Sequence, residues 1–358
     1  MRQRQKNADE HRKERAEAGE RLSLKVSAAG VNVQRGQTAF CSGSGQEYGG
    51  AGDLKVFVTG AGGQLGHDVV NELERRGHES AASGTQPVYS GIADGSAVTA
   101  APYVQLDITD KEAVARTIEG LHPDAVIHCA AWTAVDAAEE PDNYREVYAS
   151  NVLATRYLAE GCAAVNAKML YISTDYVFDG HGTEPWSPDD AAFSPLNVYG
   201  KSKLEGEYEV VNHTDKYFIV RTAWVFGKNG KNFVKTILNA GRKYDSVRVV
   251  TDQIGTPTYT ADLARLLADM IVTEKYGCYH ATNEGGFISW YDFTKEIYRL
   301  AGVAAGIVPV TTAEYGLSKA ARPFNSRMDK SKLARMGFAP LPDWKDALAR
   351  YLNETGEL

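Results

Sequence analysis

The sequence is poor in cysteine and lacks both a long apolar run and an excess of positive charge. Its four cysteines, Cys41, Cys129, Cys162 and Cys278, have neither the spacing of metal ligands nor that of a disulfide framework. We therefore expect reduced thiols and a cytoplasmic location. Because no apolar run is long enough to cross a bilayer and the N-terminus lacks the pattern of a signal peptide, we also expect no membrane association.

The charge balance bounds the possible partners. A formal net charge of −7 gives no general attraction to nucleic acid or to an anionic membrane, although it is compatible with a local phosphate pocket. With 358 residues the chain can bury a sizeable core and suits one large or two modest domains. These features favour an enzyme or binding protein for a small molecule over a nucleic-acid-binding protein.

The first 52 residues differ in composition from the rest. A highly charged stretch over residues 2–21 is followed by a Gly/Ser-rich piece that ends at Gly52. Such a segment buries too little apolar surface to offset the entropy of ordering, so we predict a disordered extension over residues 1–52. A short helix over residues 8–22 or a regulatory arm are the alternatives.

The first ordered stretch carries the pattern of a dinucleotide-binding site. Residues 54–59 (LKVFVT) read as a buried parallel strand, and residues 60–66 (GAGGQLG) lead into a helical pattern that ends at Gly77. Gly60 would permit the tight turn, Gly63 the approach of a pyrophosphate, and Gly66 the packing of the helix on the sheet. The amides at the N-terminus of the helix would bind the phosphates. The alternative is a merely flexible loop.

The second strand, expected near residues 79–83, does not decide between NAD and NADP. In NAD-binding proteins an acidic residue at its end binds the ribose 2′-hydroxyl. Residues 82–86 (ASGTQ) contain neither a carboxylate nor an arginine that would hold a 2′-phosphate. We therefore predict NADPH as the cofactor and leave NADH open. A third strand over residues 103–106 ends before Asp107, where contacts with adenine are plausible.

Further strands and helices alternate along the chain. Strands are predicted at residues 125–129 and 168–172, with helices over residues 110–120 and 144–164 before each of them. This alternation predicts an α/β fold with a doubly wound parallel (Rossmann) sheet. We assign residues 53–225 to an NAD(P)-binding domain. We interpret His128 as a packed strand residue, whereas Thr174 falls at a strand's carboxyl end, where ligands gather.

The pattern after residue 225 is less regular. Helices are predicted over residues 232–240, 261–273, 289–301 and 343–353, and a strand over residues 247–250. Ser289 can cap the third of these helices. We assign residues 226–358 to a smaller C-terminal α/β substrate-binding region, interleaved with the end of the first domain. Asp252, Gln253 and Thr256 are its candidate ligand contacts, because Gly255 and Pro257 hold their loop. Arg242, Lys243 and Arg248 are weaker candidates for a diphosphate, since each is more typical of an ordinary surface charge.

One pair of residues carries possible chemistry of its own. Tyr199 and Lys203 stand four apart, so a helix over residues 199–212 would place them on one face. An ammonium group beside a phenol favours phenolate and lowers the pKa of the tyrosine, as a proton donor near neutral pH requires. A solvated pair on a helix surface is the alternative, and spacing alone does not decide between them.

Taken together, these motifs resemble a known family. The glycine turn, Thr174 and the Tyr199/Lys203 pair look like the extended short-chain dehydrogenase/reductase superfamily. Within that superfamily the chain resembles the dTDP-4-dehydrorhamnose reductases over residues 54–352. The matching segments are 63–66 (GQLG), 173–178 (STDYVF), 195–200 (PLNVYG), 221–226 (RTAWVF), 252–257 (DQIGTP) and 322–326 (RPFNS).

The resemblance implies a reaction and roles for particular residues. Hydride from NAD(P)H would reduce the C4 keto group of dTDP-4-dehydro-β-L-rhamnose to give dTDP-L-rhamnose, with Tyr199 as proton donor. Lys203 would hold the nicotinamide ribose and lower the pKa of Tyr199, while Thr174 would bind the substrate oxygen. The expected cofactor-binding residues are Gly60, Gly63, Gln64, Leu65, Gly66, Asp107, Ala131, Trp132, Thr133, Tyr199 and Lys203. The expected substrate-binding residues are Thr174, Asp175, Trp224, Asp252, Gln253 and Thr256.

Relatives with other activities remain as alternatives. Sugar-nucleotide dehydratases carry a glutamate where this chain has Tyr176, so elimination would lose its expected base. Another sugar-nucleotide reductase, an epimerase or a non-catalytic NADP-binding regulatory subunit stays open. Some family members are described as magnesium-linked dimers, but the sequence shows no carboxylate cluster that predicts a metal site, and Asp68 alone fits the first turn of a helix. The protein is expected to be a monomer or a homodimer.

Overall fold

The computed structural model describes residues 54–89 and 101–358. The extension predicted over residues 1–52 lies outside the described residues. Those that are described form thirteen strands, which in chain order are β1 Lys55–Thr59, β2 Glu79–Gly84, β3 Tyr103–Gln105, β4 Ala125–His128, β5 Lys168–Thr174, β6 Tyr217–Thr222, β7 Val225–Phe226, β8 Ser246–Val250, β9 Ile254–Gly255, β10 Thr258–Tyr259, β11 Gly277–His280, β12 Ile288–Ser289 and β13 Gly306–Val310.

The α-helices of the same residues surround these strands. In chain order they are α1 Gln64–Arg75, α2 Lys111–Leu121, α3 Tyr144–Tyr148, α4 Ala154–Ala164, α5 Val198–His213, α6 Phe233–Lys243, α7 Thr260–Ile271, α8 Trp290–Ala301, α9 Thr312–Tyr315, α10 Ser331–Arg335 and α11 Trp344–Glu354.

Seven of the strands form one parallel sheet in the order β11-β6-β5-β4-β1-β2-β3. β1 lies inside the sheet, with β2 and β3 following in order on one side of it and β4 adjacent to it on the other side. This reversal of strand order leaves a crevice at the carboxyl ends of β1 and β4, which is where ligands bind in doubly wound sheets. The predicted α/β fold is confirmed.

The sheet is buried on both faces, as its nearly continuous apolar strands predict. Val56 and Val58 of β1 pack into one core with α1 and α7, and Phe57 between them packs into the opposite core with α2, α4 and α5. Successive strand residues point to opposite faces, so one short strand supplies both cores. The glycine turn that follows β1 is therefore held between two packed layers.

The C-terminal part of the chain contributes to this sheet as well. β11 pairs with β6 at the edge of the sheet, with Cys278 opposite Ile219. Helix α7 contributes Leu263, Leu267 and Ile271 to the same core as α1. The main sheet and its core therefore extend past residue 225. The assignment of residues 53–225 to cofactor binding and of residues 226–358 to substrate binding remains a prediction.

A second lobe is built from the rest of the C-terminal part. Helices α6, α8 and α11 share a core that includes Phe226, Phe293 and Tyr351. Short strand pairs surround it: β7 with β10 and β8 with β13 are parallel, whereas β9 with β12 is antiparallel. Ser289 caps α8 in a reciprocal arrangement with Asp292, as the sequence predicts for this position.

One predicted helix is interrupted. Residues 144–164 form α3 and α4, separated by the π-helical segment Ala149–Leu153. Side chains on such a segment are rotated relative to the flanking α-helix, and π segments are frequent at functional sites. Here the segment contains Asn151, which is buried and turned toward the end of β4.

Candidate active site

A cavity of about 740 Å³ opens at the carboxyl ends of the main-sheet strands. Its lining includes both the glycine turn and the predicted catalytic residues. Of the residues predicted from the sequence, those that line it are Gly60, Gly63, Gln64, Leu65, Gly66, Asp107, Ala131, Trp132, Thr133, Thr174, Asp175, Tyr199, Lys203 and Trp224. Asp252, Gln253 and Thr256 are not part of its lining.

The glycine turn between β1 and α1 is shaped for close backbone approach. Gly60 has a φ of 72°, and a Cβ atom there would lie 2.6 Å from the backbone nitrogen of Ala130. A Cβ atom on Gly66 would lie 2.2 Å from the carbonyl oxygen of Gly60. Gly63 precedes α1 without a side-chain cap, so the first-turn amides of α1 are available to a ligand. This cradle fits the phosphates of a dinucleotide.

The end of β2 supplies no carboxylate to the cavity. Ser83, Gly84, Thr85 and Gln86 line it there. Across from them the carboxylate of Asp107 accepts hydrogen bonds from the backbone nitrogen and the hydroxyl of Thr109, at 2.9 and 2.7 Å. Its oxygen is therefore fixed by its own loop.

An aromatic residue that the sequence did not single out also lies at this end. Tyr89 lines the cavity and packs edge-on against Tyr103, with ring centroids 6.0 Å apart. Its hydroxyl contacts Nδ1 of His67 on α1. No motif marks Tyr89, because it reaches the cavity through the loop after β2 and not through the glycine turn.

The segment after β4 is held by the π-helical residue Asn151. The Asn151 side-chain oxygen accepts a hydrogen bond from the Trp132 backbone nitrogen at 2.8 Å, and its amide donates to the Trp132 carbonyl at 3.1 Å. The same amide donates to the Ser202 hydroxyl of α5 at 2.9 Å. Asn151 therefore fixes the β4 loop against the helix that carries Tyr199. No sequence signal marks Asn151, because the helical pattern around it is unbroken.

The three predicted catalytic residues meet in this cavity. Thr174 ends β5, and Tyr199 and Lys203 lie on successive turns of α5. Thr174 lies close enough to Tyr199 to oppose the rise in the tyrosine pKa that burial causes, and the Thr174 hydroxyl donates a hydrogen bond to the Asp175 carboxylate at 3.0 Å. Close approach depends on Gly200, because a Cβ atom there would lie 2.3 Å from the carbonyl oxygen of Tyr176. Asn197 caps α5 by accepting from the Gly200 backbone nitrogen at 2.7 Å. The convergence that the sequence left undetermined is thus present.

Burial dominates the protonation of this group. It raises the pKa of Tyr199 well above its usual value, against a hydrogen bond with Thr174, and the nearby Asp175 carboxylate raises the pKa further. Burial lowers the pKa of Lys203 to about 7, and the Glu207 carboxylate opposes that shift. The Lys203 ammonium lies 4.0 Å from the centroid of the Tyr171 ring. The predicted lowering of the Tyr199 pKa is therefore wrong, because desolvation of the buried phenolate dominates.

On the substrate side, a carboxyl group and an indole face the cavity. Burial raises the pKa of Asp175 to about 6, against hydrogen bonds from Ser326 and Thr174. Trp224 adopts a left-handed backbone conformation with a φ of 51°. Its ring stacks on that of Trp290, with centroids 3.7 Å apart. Trp290 also lines the cavity and was missed, since as the first residue of α8 it reads as an ordinary helix start.

Tyr176 occupies the position at which a dehydratase would carry glutamate. Its ring lies edge-on to that of Tyr199, with centroids 5.7 Å apart. Its hydroxyl accepts from Arg322 at 3.3 Å, and the same guanidinium donates to Asp136 at 2.7 Å. Arg322 thereby joins the C-terminal part of the chain to the loop after β4, close to Tyr199.

The remaining predicted ligand contacts are engaged elsewhere. Asp252 accepts hydrogen bonds from the backbone nitrogen and the hydroxyl of Thr312, and Gln253 donates to that hydroxyl at 3.0 Å. Thr256 donates to the Gly286 carbonyl at 2.9 Å. Their loop is held, as expected, but by the C-terminal lobe itself. The structure does not bring these three side chains to the cavity.

The basic residues proposed for a diphosphate are also outside the cavity lining. Arg242 pairs with Glu357, the Lys243 ammonium lies over the ring of its neighbour Tyr244, and Arg248 donates to the Glu314 carbonyl. These contacts agree with the interpretation of ordinary surface charges.

The described residues, 54–89 and 101–358, contain neither a candidate metal cluster nor a membrane-spanning helix. No group of three or more histidine, cysteine, aspartate or glutamate residues in these ranges could hold a metal ion. No helix in the same ranges is long and apolar enough to cross a membrane.

Comparison with known proteins agrees with the motifs and the fold. The family model of the RmlD substrate binding domain matches residues 54–356. A dTDP-4-dehydrorhamnose reductase from Aggregatibacter actinomycetemcomitans is 40% identical over 308 residues, which cover 82% of this chain and 97% of the relative. The spore coat polysaccharide biosynthesis protein SpsK from Bacillus subtilis is 37% identical, over 84% of this chain and 97% of the relative.

The fold is also that of a solved relative. The crystal structure of a dTDP-4-dehydrorhamnose reductase from Bacillus anthracis in complex with NADP superposes with a TM-score of 0.76 at 38% identity, covering 85% of this chain and 100% of that one. The match of one family model to most of the chain, together with these relatives, establishes that the chain belongs to the RmlD substrate binding domain family.

Proposed function

We propose that the protein reduces the C4 keto group of dTDP-4-dehydro-β-L-rhamnose to give dTDP-L-rhamnose, with NADPH as the reductant and Tyr199 as the proton donor. One observation carries the proposal: Thr174, Tyr199 and Lys203 converge at a cavity whose other end is the glycine cradle of α1. The similarity to dTDP-4-dehydrorhamnose reductases supports an oxidoreductase and this class of substrate.

The residues at the cradle fit the proposed cofactor. The short distances at Gly60 and Gly66 exclude side chains and fix the shape of the turn, and the first-turn amides of α1 would bind the phosphates. The missing carboxylate at the end of β2 leaves a 2′-phosphate without a repelling charge, which favours NADPH. Bound NADPH would supply the hydride that is added to C4.

The other residues would handle the proton and the sugar. Thr174 would donate a hydrogen bond to the keto oxygen and hold it beside the Tyr199 hydroxyl. Because its pKa is raised, Tyr199 stays protonated through the neutral range and releases its proton only to a strongly basic group such as the developing C4 alkoxide. Lys203 would hold the nicotinamide ribose, and the Trp224 indole would pack against the pyranose.

The direct test is turnover. Purified protein would be mixed with NADPH and dTDP-4-dehydro-β-L-rhamnose, and the loss of NADPH absorbance would be followed together with the formation of dTDP-L-rhamnose. We expect steady oxidation of NADPH that depends on the sugar nucleotide. NADPH binding without turnover would contradict the proposal and favour a non-catalytic NADP-binding subunit. A parallel measurement of kcat/KM with NADH would test the cofactor preference.

A further inference from the structure

A buried ion pair lies directly behind the proposed catalytic residues. Glu207 of α5 and Arg221 of β6 are both completely buried. The Arg221 guanidinium donates two hydrogen bonds to the Glu207 carboxylate, at 2.8 and 2.7 Å. The Ser173 hydroxyl donates a third to that carboxylate at 2.5 Å. Buried charges persist when they are paired and fully hydrogen bonded in this way.

The position of the pair relates it to the cavity. Glu207 follows Lys203 by four residues and Tyr199 by eight, so the three side chains lie along one face of α5. Ser173 immediately precedes Thr174 in β5 and is paired with Arg221 across the sheet. The ion pair thus joins the helix that carries the proton donor to the strand end that carries Thr174.

The Glu207 carboxylate also bears on Lys203. The groups close to Lys203 are Tyr199 and Glu207 on its own helix, His128 and Cys129 at the end of β4, and Tyr171 on β5. Burial lowers the pKa of His128 to about 3 and raises that of Cys129 to about 12, so both are neutral in the neutral range. Burial likewise raises the pKa of Tyr171 far above the neutral range. Among these groups Glu207 therefore supplies the negative charge.

We propose that Glu207 is a positioning residue of this active site: it fixes α5, which carries Tyr199 and Lys203, against the end of β5 through Ser173 and Arg221. Its charge also opposes the loss of the Lys203 proton that burial favours. The effect of Glu207 on turnover rests on the proposed function. The effect of Glu207 on NADPH binding can be measured without the sugar nucleotide.

The test is Glu207→Gln, which preserves the shape of the side chain and removes its charge. We expect NADPH to bind more weakly than to the wild type, by a larger factor at about pH 8 than at about pH 6, because loss of the carboxylate lowers the pKa of Lys203 further. The upper limb of the kcat profile should also move to lower pH. NADPH binding would be followed by NADPH fluorescence, which does not depend on turnover. If the wild-type protein bound NADPH without turnover, the reductase function would be refuted, but the role of Glu207 in NADPH binding could still be tested.

Two further variants separate this role from a purely structural one. Glu207→Asp retains the charge, so we expect it to keep the wild-type pH dependence even where kcat is lower. Asp262→Asn breaks another ion pair, the one between Asp262 and Arg350. The Asp262 carboxylate is also buried, but it lies outside the cavity lining. Asp262→Asn should lower the melting temperature, as Glu207→Gln does, without changing the pH dependence of NADPH binding.

If Glu207→Gln does not fold, the double variant Glu207→Gln/Arg221→Met answers the same question. The double variant also removes the Arg221 cation, which Glu207→Gln alone would leave buried without a charged partner. A buried unpaired charge is the main cause of the stability lost when a buried ion pair is broken. We expect the same direction of shift, because the double variant also lacks the Glu207 carboxylate that raises the pKa of Lys203. A wild-type pH dependence of NADPH binding in whichever of these two variants folds would overturn the proposal.

Discussion

Tyr199 and Asp175 face the same cavity, and burial raises the pKa of both. The two shifts have different consequences. In the proposed reaction, the raised pKa of Tyr199 would keep the proton on the phenol until a stronger base develops on the substrate. For Asp175, whose pKa rises to about 6, it means that the carboxyl group ionises near neutral pH and at a cost in stability. Each residue gives a prediction of its own.

Tyr199→Phe removes the proposed proton donor and keeps the ring that packs against Tyr176. We expect kcat to fall by about 10² to 10⁴, the range that general acid catalysis contributes, with little change in the Kd for NADPH. Steady-state kinetics and a fluorescence titration would measure the two effects. Tyr157→Phe on α4, outside the cavity lining, is the matched control and should behave as wild type. A near-normal kcat in Tyr199→Phe would mean that another group donates the proton.

Asp175→Asn should change how stability depends on pH. Burial raises the pKa of Asp175 to about 6 in the folded protein, whereas the carboxyl group has its usual pKa of 3.8 in the unfolded chain. The folded state therefore binds more protons between these values, and its free energy of unfolding falls as the pH rises through them. The Asn variant lacks this loss, so it should gain stability relative to wild type at about pH 7.5 but not at about pH 4. Urea denaturation at both values would measure it, and an equal difference at both would contradict the assignment.

Among the structural elements, the turn from β1 into α1 has the tightest backbone contacts at the cavity. Gly66→Ala would force a methyl group to within 2.2 Å of the Gly60 carbonyl, and that oxygen belongs to the rigid backbone. We expect α1 to shift, with a loss of about 1–3 kcal/mol in the free energy of unfolding. NADPH affinity should fall as well, because the first-turn amides move with α1. Thermal unfolding and a binding titration would measure both.

Gly62→Ala is the matched control for the effect on stability. A Cβ atom on Gly62 meets no protein atom within 4 Å, and Gly62 lies in the same turn. It should leave the melting temperature nearly unchanged. If the two variants were equally stable, the close packing of α1 against the turn would not be the reason for glycine at position 66.

The elements show where sequence patterns suffice and where they do not. β1 with its glycine turn, α5 with the Tyr199/Lys203 pair, and the capped start of α8 were predictable, because each depends on local spacing and local hydrogen bonds. The π-helical segment around Asn151 was not, because its position follows from contacts with Trp132 and Ser202, which are distant in sequence. The raised pKa of Tyr199 was not predictable for the same reason, since it arises from burial in the assembled cavity.

At the scale of the whole molecule, the C-terminal half completes the sheet that the N-terminal half begins. A strand as short as β11 carries little signal in the sequence, and its pairing with β6 depends on the fold of both halves. The same long-range closure bears on Asp252 and Gln253, whose role as ligand contacts stays a prediction. Both side chains contact Thr312 of the second lobe, which is distant in sequence. Loop composition indicates that a side chain is held in place, but only the fold shows which residues it contacts.

This closure predicts that residues 54–225 do not fold alone. Without β11 the edge of β6 is unpaired, and without α7 the core beneath α1 loses Leu263, Leu267 and Ile271. Burying each such side chain contributes about 1.5–3 kcal/mol, so the loss is comparable with the whole stability of a domain. We expect the fragment 54–225 to show no cooperative thermal transition by circular dichroism, whereas the control chain 54–358 unfolds cooperatively and binds NADPH. A cooperative transition in the short fragment, together with NADPH binding, would instead identify residues 54–225 as an autonomous domain.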